Sequence, residues 1–262
     1  MPEAKTILIT GASSGIGQAC AKQFAAAGHR IIICARRIEK LEALSQALQT
    51  QYGTEVLPLF MDVQDQSGVQ KAIDTLDTPW KNIDILVNNA GLALSSETID
   101  QGKISNWDTM IKTNINGLLY VTHAILPGML ARNSGQIINI GSIAGHEAYT
   151  GGNVYSATKH AVKAISKSMR IDLMGKNIRV CEVSPGMVKT EFSLVRWKDQ
   201  EKSDQFYAQI QPLKPEDIAD AVCYCAHAPN RVTIEEMIVM PSCQASANHV
   251  AKSGEKAKSV FD

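Results

Sequence analysis

The chain opens with a short apolar run, Lys5-Thr6-Ile7-Leu8-Ile9-Thr10, that ends in a glycine-rich turn, Gly11-Ala12-Ser13-Ser14-Gly15-Ile16-Gly17. Helical periodicity follows over residues 15–28, closed by a further glycine. A continuous aliphatic run of this length reads as a strand buried on both faces, the situation of a parallel sheet covered by helices. The turn narrows the choice further. Glycines between a strand and a helix let the backbone bend sharply and approach a pyrophosphate at the helix N-terminus, where unpaired N–H groups point outward. The spacing here is G-x-x-x-G-x-G, not the commoner G-x-G-x-x-G, and it takes its meaning from following the first strand. Gly11, Ser13, Ser14, Gly15, Ile16 and Gly17 are therefore expected to cradle a dinucleotide.

The rest of the chain repeats the alternation. Strands are expected at 29–35, 55–61, 83–88, 135–141, 177–184 and 233–240. Helices are expected at 37–52, 66–76, 103–132, 154–174 and 215–226. No repeat or linker interrupts the pattern, so it predicts an α/β fold: one domain over 1–250 with a doubly wound parallel sheet and helices on both faces. The polar, lysine-rich tail at 251–262 is expected to fray.

Composition mainly excludes. Lysine plus arginine and aspartate plus glutamate each number 26, which leaves no basic field for nucleic acid or an anionic membrane. No apolar run approaches the ~18 residues of a membrane span, and the N-terminus enters the first strand with no visible signal peptide. The six cysteines lie scattered without a C-x-x-C, which fits buried thiols in a cytoplasmic protein. None of the six histidines has ligand spacing, so no metal site and no catalytic histidine are expected.

The chemistry collects where strands end. Open α/β sheets bind ligands at the carboxyl ends of their strands. The second strand ends Cys34-Ala35-Arg36-Arg37. An NAD site normally has a carboxylate here for the ribose 2′-hydroxyl, whereas arginine suits a 2′-phosphate. With Ala35 at the acidic position, Arg36 and Arg37 predict NADP (NADP+/NADPH). Asp62 and Val63 close the third strand, where a carboxylate could accept from the adenine amine. Asn88, Ala90 and Gly91 close the fourth, where small residues let a cofactor pass. Ser142 ends the fifth. Thirteen residues later, Tyr155 and Lys159 stand four apart on one helix face. A phenol of pKa ~10 is a poor acid or base at neutral pH. An ammonium beside it favours the phenolate and brings the pair towards the working range.

Taken together, Thr10 to Gly17, Asp62, Asn88 to Gly91, Asn114, Ser142, Tyr155, Lys159 and Pro185-Gly186 followed by Thr190 resemble the classical short-chain dehydrogenase/reductases over nearly the whole chain. The resemblance implies a Rossmann-type sheet of seven strands and hydride transfer between nicotinamide and a carbinol carbon. It implies a tetrad of Asn114, Ser142, Tyr155 and Lys159. Tyr155 would be the acid and base, and Ser142 would hold the substrate oxygen. Lys159 would bond the nicotinamide ribose and lower the tyrosine pKa, while Asn114 would fix a relay water. Pro185, Gly186, Val188 and Thr190 would complete the cofactor site. Within the family the sequence is most similar to the NADP-dependent 3-hydroxy acid dehydrogenases, the group that includes bacterial serine 3-dehydrogenase, through residues 82–94, 151–155, 190–196 and Gln244-Ala245-Ser246. The tail after His249 departs from that group.

The expected substrate is a short 3-hydroxy acid, such as serine, 3-hydroxyisobutyrate or 3-hydroxypropionate, or the matching oxo acid. A 3-oxoacyl-carrier-protein or general carbonyl reductase is an alternative, though residues 91–105 offer a carrier protein only Lys103. A dinucleotide-sensing regulator would not need Ser142, Tyr155 and Lys159 together. The segment about 187–212 reads as a loop that closes over the substrate. Arg196, in the mostly apolar run 192–197, offers a planar fork matching a carboxylate, and is assigned to the substrate carboxylate. The helices at 103–132 and 154–174 carry more apolar surface than one sheet face needs. In the family such helices pair across subunits, so a homotetramer is expected.

Overall fold

The computed structural model describes residues 4–252, so nearly all of the tail expected to fray, and the first three residues, lie outside the described residues. Seven strands form one all-parallel sheet in the order β3-β2-β1-β4-β5-β6-β7. They are β1 Thr6–Thr10, β2 Arg30–Ala35, β3 Val56–Phe60, β4 Ile85–Asn88, β5 Gly135–Ile140, β6 Ile178–Pro185 and β7 Glu236–Val239. Side chains alternate across the sheet, as a period of two requires. Ile7 and Ile9 of β1 join one core while Leu8 joins the other, and β2 divides the same way with Ile31 and Ile33 against Ile32 and Cys34.

The first core is roofed by α1 Gly15–Ala26, α2 Ile38–Tyr52 and α9 Pro215–His227, through Phe24, Leu41, Leu48, Ile218 and Val222. The second is roofed by α3 Gln66–Asp74 and α5 Leu118–Arg132, through Val69, Val121, Ile125 and Met129. Side chains such as Phe24 and Leu41 are wholly buried, each contributing about 1.5–3 kcal/mol by leaving water. The chain winds outward from β1 through β2 to β3, then restarts on the other side of β1 with β4. That reversal opens a crevice at the carboxyl ends of β1 and β4.

Two expectations are corrected. The helix expected over 103–132 is α4 Ile104–Ile111 and α5 joined by a π-helical turn, Lys112–Gly117. At Gly117 a Cβ would stand 2.7 Å from Val63 Cγ2 and 3.2 Å from the Val63 carbonyl oxygen, so glycine lets this turn lie against the end of β3. The segment expected as a loop at 187–212 contains two short helices, α7 Phe192–Trp197 and α8 Gln200–Ala208. The first packs by Phe192 against Tyr155, the second by Phe206 against Trp197. The remaining helix, α6 Asn153–Asp172, follows β5 after a 3-10 turn, Ile143–Gly145.

Candidate active site

The crevice is a cleft of about 410 Å³. One end is the turn between β1 and α1. Gly11 has φ +67°, and a Cβ there would lie 2.9 Å from Asn89 Nδ2 and 3.0 Å from Ala90 Cα. No other residue permits both this backbone and this approach without strain. Gly11, Ser13, Ser14, Gly15 and Ile16 line the cleft, with Gly17 buried beneath them. Ser14 caps α1 in an extended conformation, makes no side-chain cap bond, and no acidic residue follows in the first turn. The helix therefore turns its unpaired N–H groups and positive end towards the cleft.

Arg36 and Arg37 flank this end. Arg37 donates to Ser13 Oγ from Nε and Nη2 at 3.1 and 2.9 Å, and to Ser14 Oγ at 2.8 Å. It also pairs with Glu191 at 2.8 Å, and Lys40 reaches the same carboxylate at 3.1 Å. Arg36 lines the cleft and is exposed. Two cations thus share one carboxylate beside two serines and a helix N-terminus, with Arg36 on the cleft wall next to them, a set of donors that fits a phosphorylated dinucleotide. Glu191 was not anticipated. Its position directly after Thr190 was the available signal, but a single acid in a loop is no more than a solvated charge until the fold sets it beside arginines.

Asp62 and Val63 line the wall beyond, with Asp62 Oδ1 accepting from the Gln64 amide at 3.0 Å. Ala90 and Gly91 line the floor. Asn88, expected at the cofactor, does not reach the cleft. Its amide nitrogen donates to Thr122 Oγ1 at 2.9 Å and Asn139 Oδ1 at 3.0 Å inside the sheet. Strand alternation turns residue 88 inward, and Asn89 lines the cleft in its place. Pro185, Gly186, Val188 and Thr190 line the opposite wall.

At the far end stand Ser142, Tyr155 and Lys159, all nearly buried. Lys159 Nζ lies 6.0 Å from the centre of the Tyr155 ring and donates to the Ile140 carbonyl at 2.8 Å. Burial pushes the Tyr155 phenol above its ordinary range, with the Ser142 hydroxyl pulling the other way. Lys159 is pushed down to about 8 by the same loss of water, opposed by Glu182. Burial thus dominates at the phenol, and Lys159 is not among the groups that lower it. Asn114 sits in the π-helical turn behind Lys159. Its Oδ1 accepts from the Leu92 amide at 2.9 Å, and its Nδ2 donates to Leu92 O at 2.8 Å and Thr158 Oγ1 at 3.0 Å. Both amide hydrogens are committed, which leaves oxygen lone pairs to meet a relay water.

Leu92, Phe192 and Val195 give the cleft an apolar side near Tyr155. Arg196 stands outside the lining. It donates to Ser95 O at 2.8 Å, Tyr149 Oη at 3.0 Å and Gly151 O at 3.0 Å. Three of its five N–H groups are thereby used to fasten α7 to the loops before α4 and α6, leaving two.

The profile of the short chain dehydrogenase family matches residues 5–201. The NADP-dependent 3-hydroxy acid dehydrogenase of Salmonella typhi is 45% identical over 243 residues, 92% of this chain and 96% of that protein. The NADP-dependent 3-hydroxy acid dehydrogenase of Schizosaccharomyces pombe is 42% identical over 250 residues, covering 95% and 96%. Among solved structures, the closed form of a serine dehydrogenase complexed with NADP+ superposes with a TM-score of 0.88 at 43% identity, over 92% of this chain and 97% of that one.

Proposed function

The chain belongs to the short chain dehydrogenase family, and from that premise we propose that it is an NADP-dependent oxidoreductase of short 3-hydroxy acids such as serine, 3-hydroxyisobutyrate or 3-hydroxypropionate. The observation that carries the reading is one cleft joining a glycine turn and two arginines at one end to Ser142, Tyr155 and Lys159 at the other. The names of the relatives at 42–45% identity support the cofactor and the substrate class.

In this reading Gly11, Ser13, Ser14, Gly15 and Ile16 hold the pyrophosphate, and Arg36 and Arg37 hold the 2′-phosphate. Asp62 and Val63 face the adenine, and Ala90, Gly91, Pro185, Gly186, Val188 and Thr190 enclose the nicotinamide half. A nicotinamide bound there would supply the hydride chemistry, as acceptor from the carbinol carbon in oxidation and as donor to the carbonyl carbon in reduction. The accompanying proton is the chain's to move. Tyr155 accepts it from the hydroxyl during oxidation and donates it to the carbonyl oxygen during reduction. Ser142 holds that oxygen, Lys159 bonds the ribose and supplies the positive charge, and Asn114 fixes the water that takes the proton onward. Arg196 receives the substrate carboxylate on its two remaining N–H groups while its other three hold α7 in place.

A single domain over 1–250, with its substrate segment at 187–212, belongs to the same reading, as does a cytoplasmic location, supported by six free thiols. The chain acts as a homotetramer. Ile104, Ile111, Leu119, Leu130 and Ile171 are exposed on α4, α5 and α6, apolar side chains that a second copy would cover. The test is direct: the purified protein, given NADP+, reduces it with serine or 3-hydroxyisobutyrate. Turnover of neutral alcohols alone would move the reading to a general carbonyl reductase, and no turnover of either to a dinucleotide sensor.

A further inference from the structure

β6 carries a carboxylate where a strand buried on both faces normally carries an aliphatic residue: Val180-Cys181-Glu182-Val183. Glu182 is 1% exposed. An ion taken so far from water costs several kcal/mol unless charges and hydrogen bonds compensate. Partners surround it. On its own strand, Ser184 Oγ donates to Oε1 at 2.9 Å. On β7, Glu236 is its register partner. From the turn after β5 comes His146, and its ring nitrogen and the two carboxylates all lie within 4.8 Å of one another. From α6 come two ammonium groups four residues apart, Lys159 and Lys163, on one helix face.

The cluster divides into two halves. In the outer half, Lys163 Nζ lies 2.7 Å from His146 Nδ1 and 3.6 Å from Glu236 Oε2. An ammonium can only donate, so Nδ1 accepts and Nε2 carries the hydrogen. Nε2 approaches Glu236 Oε1 to 2.6 Å, but off a hydrogen-bonding direction, and neither atom has another partner. Lys163 thus balances Glu236 across a neutral imidazole. The inner half is Glu182, which forms no ion pair among the described residues; Lys159, held on the Ile140 carbonyl beside the same segment of chain, is the cation whose charge acts on it from beyond contact distance.

Gly141 explains how the carboxylate gets so close. A Cβ on residue 141 would collide with Glu182 Oε1 and Ser184 Oγ. The carboxylate therefore rests against the backbone of Ile140-Gly141-Ser142. The same segment offers the Ile140 carbonyl to Lys159 Nζ at 2.8 Å and delivers Ser142 to the cleft. We propose that Glu182 is a positioning residue for the hydride transfer, a buried counter-charge that keeps Lys159 protonated and held on the Ile140 carbonyl at the back of the cleft. This rests on Lys159 and Tyr155 working as the acid–base pair. Burial alone would strip the proton from Lys159, and Glu182 is the group that opposes it. Burial also raises the Glu182 carboxyl itself and the Glu236 charge adds to that rise, while the Ser184 hydroxyl and the Lys159 charge oppose it.

Shape and charge can be separated at this position. Glu182→Gln keeps the shape and loses the charge, whereas Glu182→Asp keeps the charge and loses the shape. Two readouts follow Lys159: the alkaline fall of kcat for carbonyl reduction, and the alkaline fall of NADPH affinity measured by nucleotide fluorescence without substrate. Each is lost as pH rises through the Lys159 pKa. A nearby opposite charge moves a pKa by about 1–3 units, and Glu182 and Lys159 are not in direct contact, so in Glu182→Gln both falls should move to lower pH by about one unit. In Glu182→Asp both should stay near the wild-type position. Ser184→Ala, which removes the hydroxyl that stabilises the ionised carboxylate, should shift both the same way by less. Unmoved falls in Glu182→Gln overturn the proposal, as does an equal shift in Glu182→Asp, which would mark a role of shape. Should Glu182→Gln not fold, unmoved falls in Ser184→Ala overturn it. Failure of the wild type to turn over any oxo acid would remove the proposed function instead, while the NADPH arm would still report on Lys159.

Discussion

Tyr155 is held by burial in its protonated form, above the ordinary phenol range. That favours it as a proton donor and makes its work as a base depend on what enters the cleft beside it. Tyr155→Phe removes the hydroxyl and keeps the ring that packs on Phe192 at 5.5 Å between centroids. Positioned acid–base groups contribute about 10²–10⁴-fold. The variant should bind NADPH as the parent does and lose kcat towards the upper end of that range, measured by single-substrate kinetics at saturating NADPH. Retention of more than about a tenth of the parent kcat would contradict the acid–base role of Tyr155. At the other end of the cleft, Arg37 holds Ser13, Ser14 and Glu191, while Arg36 makes no such contact among the described residues. A charged hydrogen bond to a phosphate contributes about 1.5–3 kcal/mol, or about 10–150-fold in affinity. Arg36→Ala and Arg37→Ala should each weaken NADPH by that order in a fluorescence titration and leave NADH nearly unchanged. Equal affinity of the parent for NADPH and NADH would sink the assignment of both.

At the scale of elements, the strands were legible because β1 and β2 carry continuous aliphatic runs, and the first turn because its glycines follow the first of them. Tyr155 and Lys159 were legible as a pair because both lie on one helix. The π-helical turn was not: an extra residue in a turn leaves the 3.6-residue pattern nearly intact, and the space that permits it is made by Val63, about fifty positions away. Asn88 misled because its neighbour on the other face of the strand, Asn89, is the same residue type. Glu182 was visible as a charge inside an apolar run, but its partners come from β7, α6 and the turn after β5, which only the fold assembles. α7 and α8 lack a long apolar stripe, and α7 is held by Arg196 rather than by a core of its own. Arg196→Leu should raise KM for serine or 3-hydroxyisobutyrate by about 10–100-fold, the equivalent of ~1.5–3 kcal/mol for a charged hydrogen bond. Neutral substrates should be little affected. A uniform loss on charged and neutral substrates would assign Arg196 to fastening α7 alone.

For the molecule as a whole, the reversal of strand order beside β1 sets the cleft, and Ser142, Tyr155 and Lys159 lie along it with the cofactor-binding residues. α4, α5 and α6 also expose Ile104, Leu119 and Ile171, and exposed apolar surface of sufficient extent marks contact sites. Sedimentation at micromolar concentration should give four times the 28.4 kDa of the chain, and a monomer would contradict the tetramer. The central claim is a hydride passed between a 3-hydroxy acid and NADP. It is tested most directly by incubating the protein with NADP+ and serine deuterated at its hydroxyl-bearing carbon, then reading C4 of the NADPH formed by proton NMR. Deuterium on a single face of C4 is the predicted result. NADPH formed without label, or none formed, would contradict it.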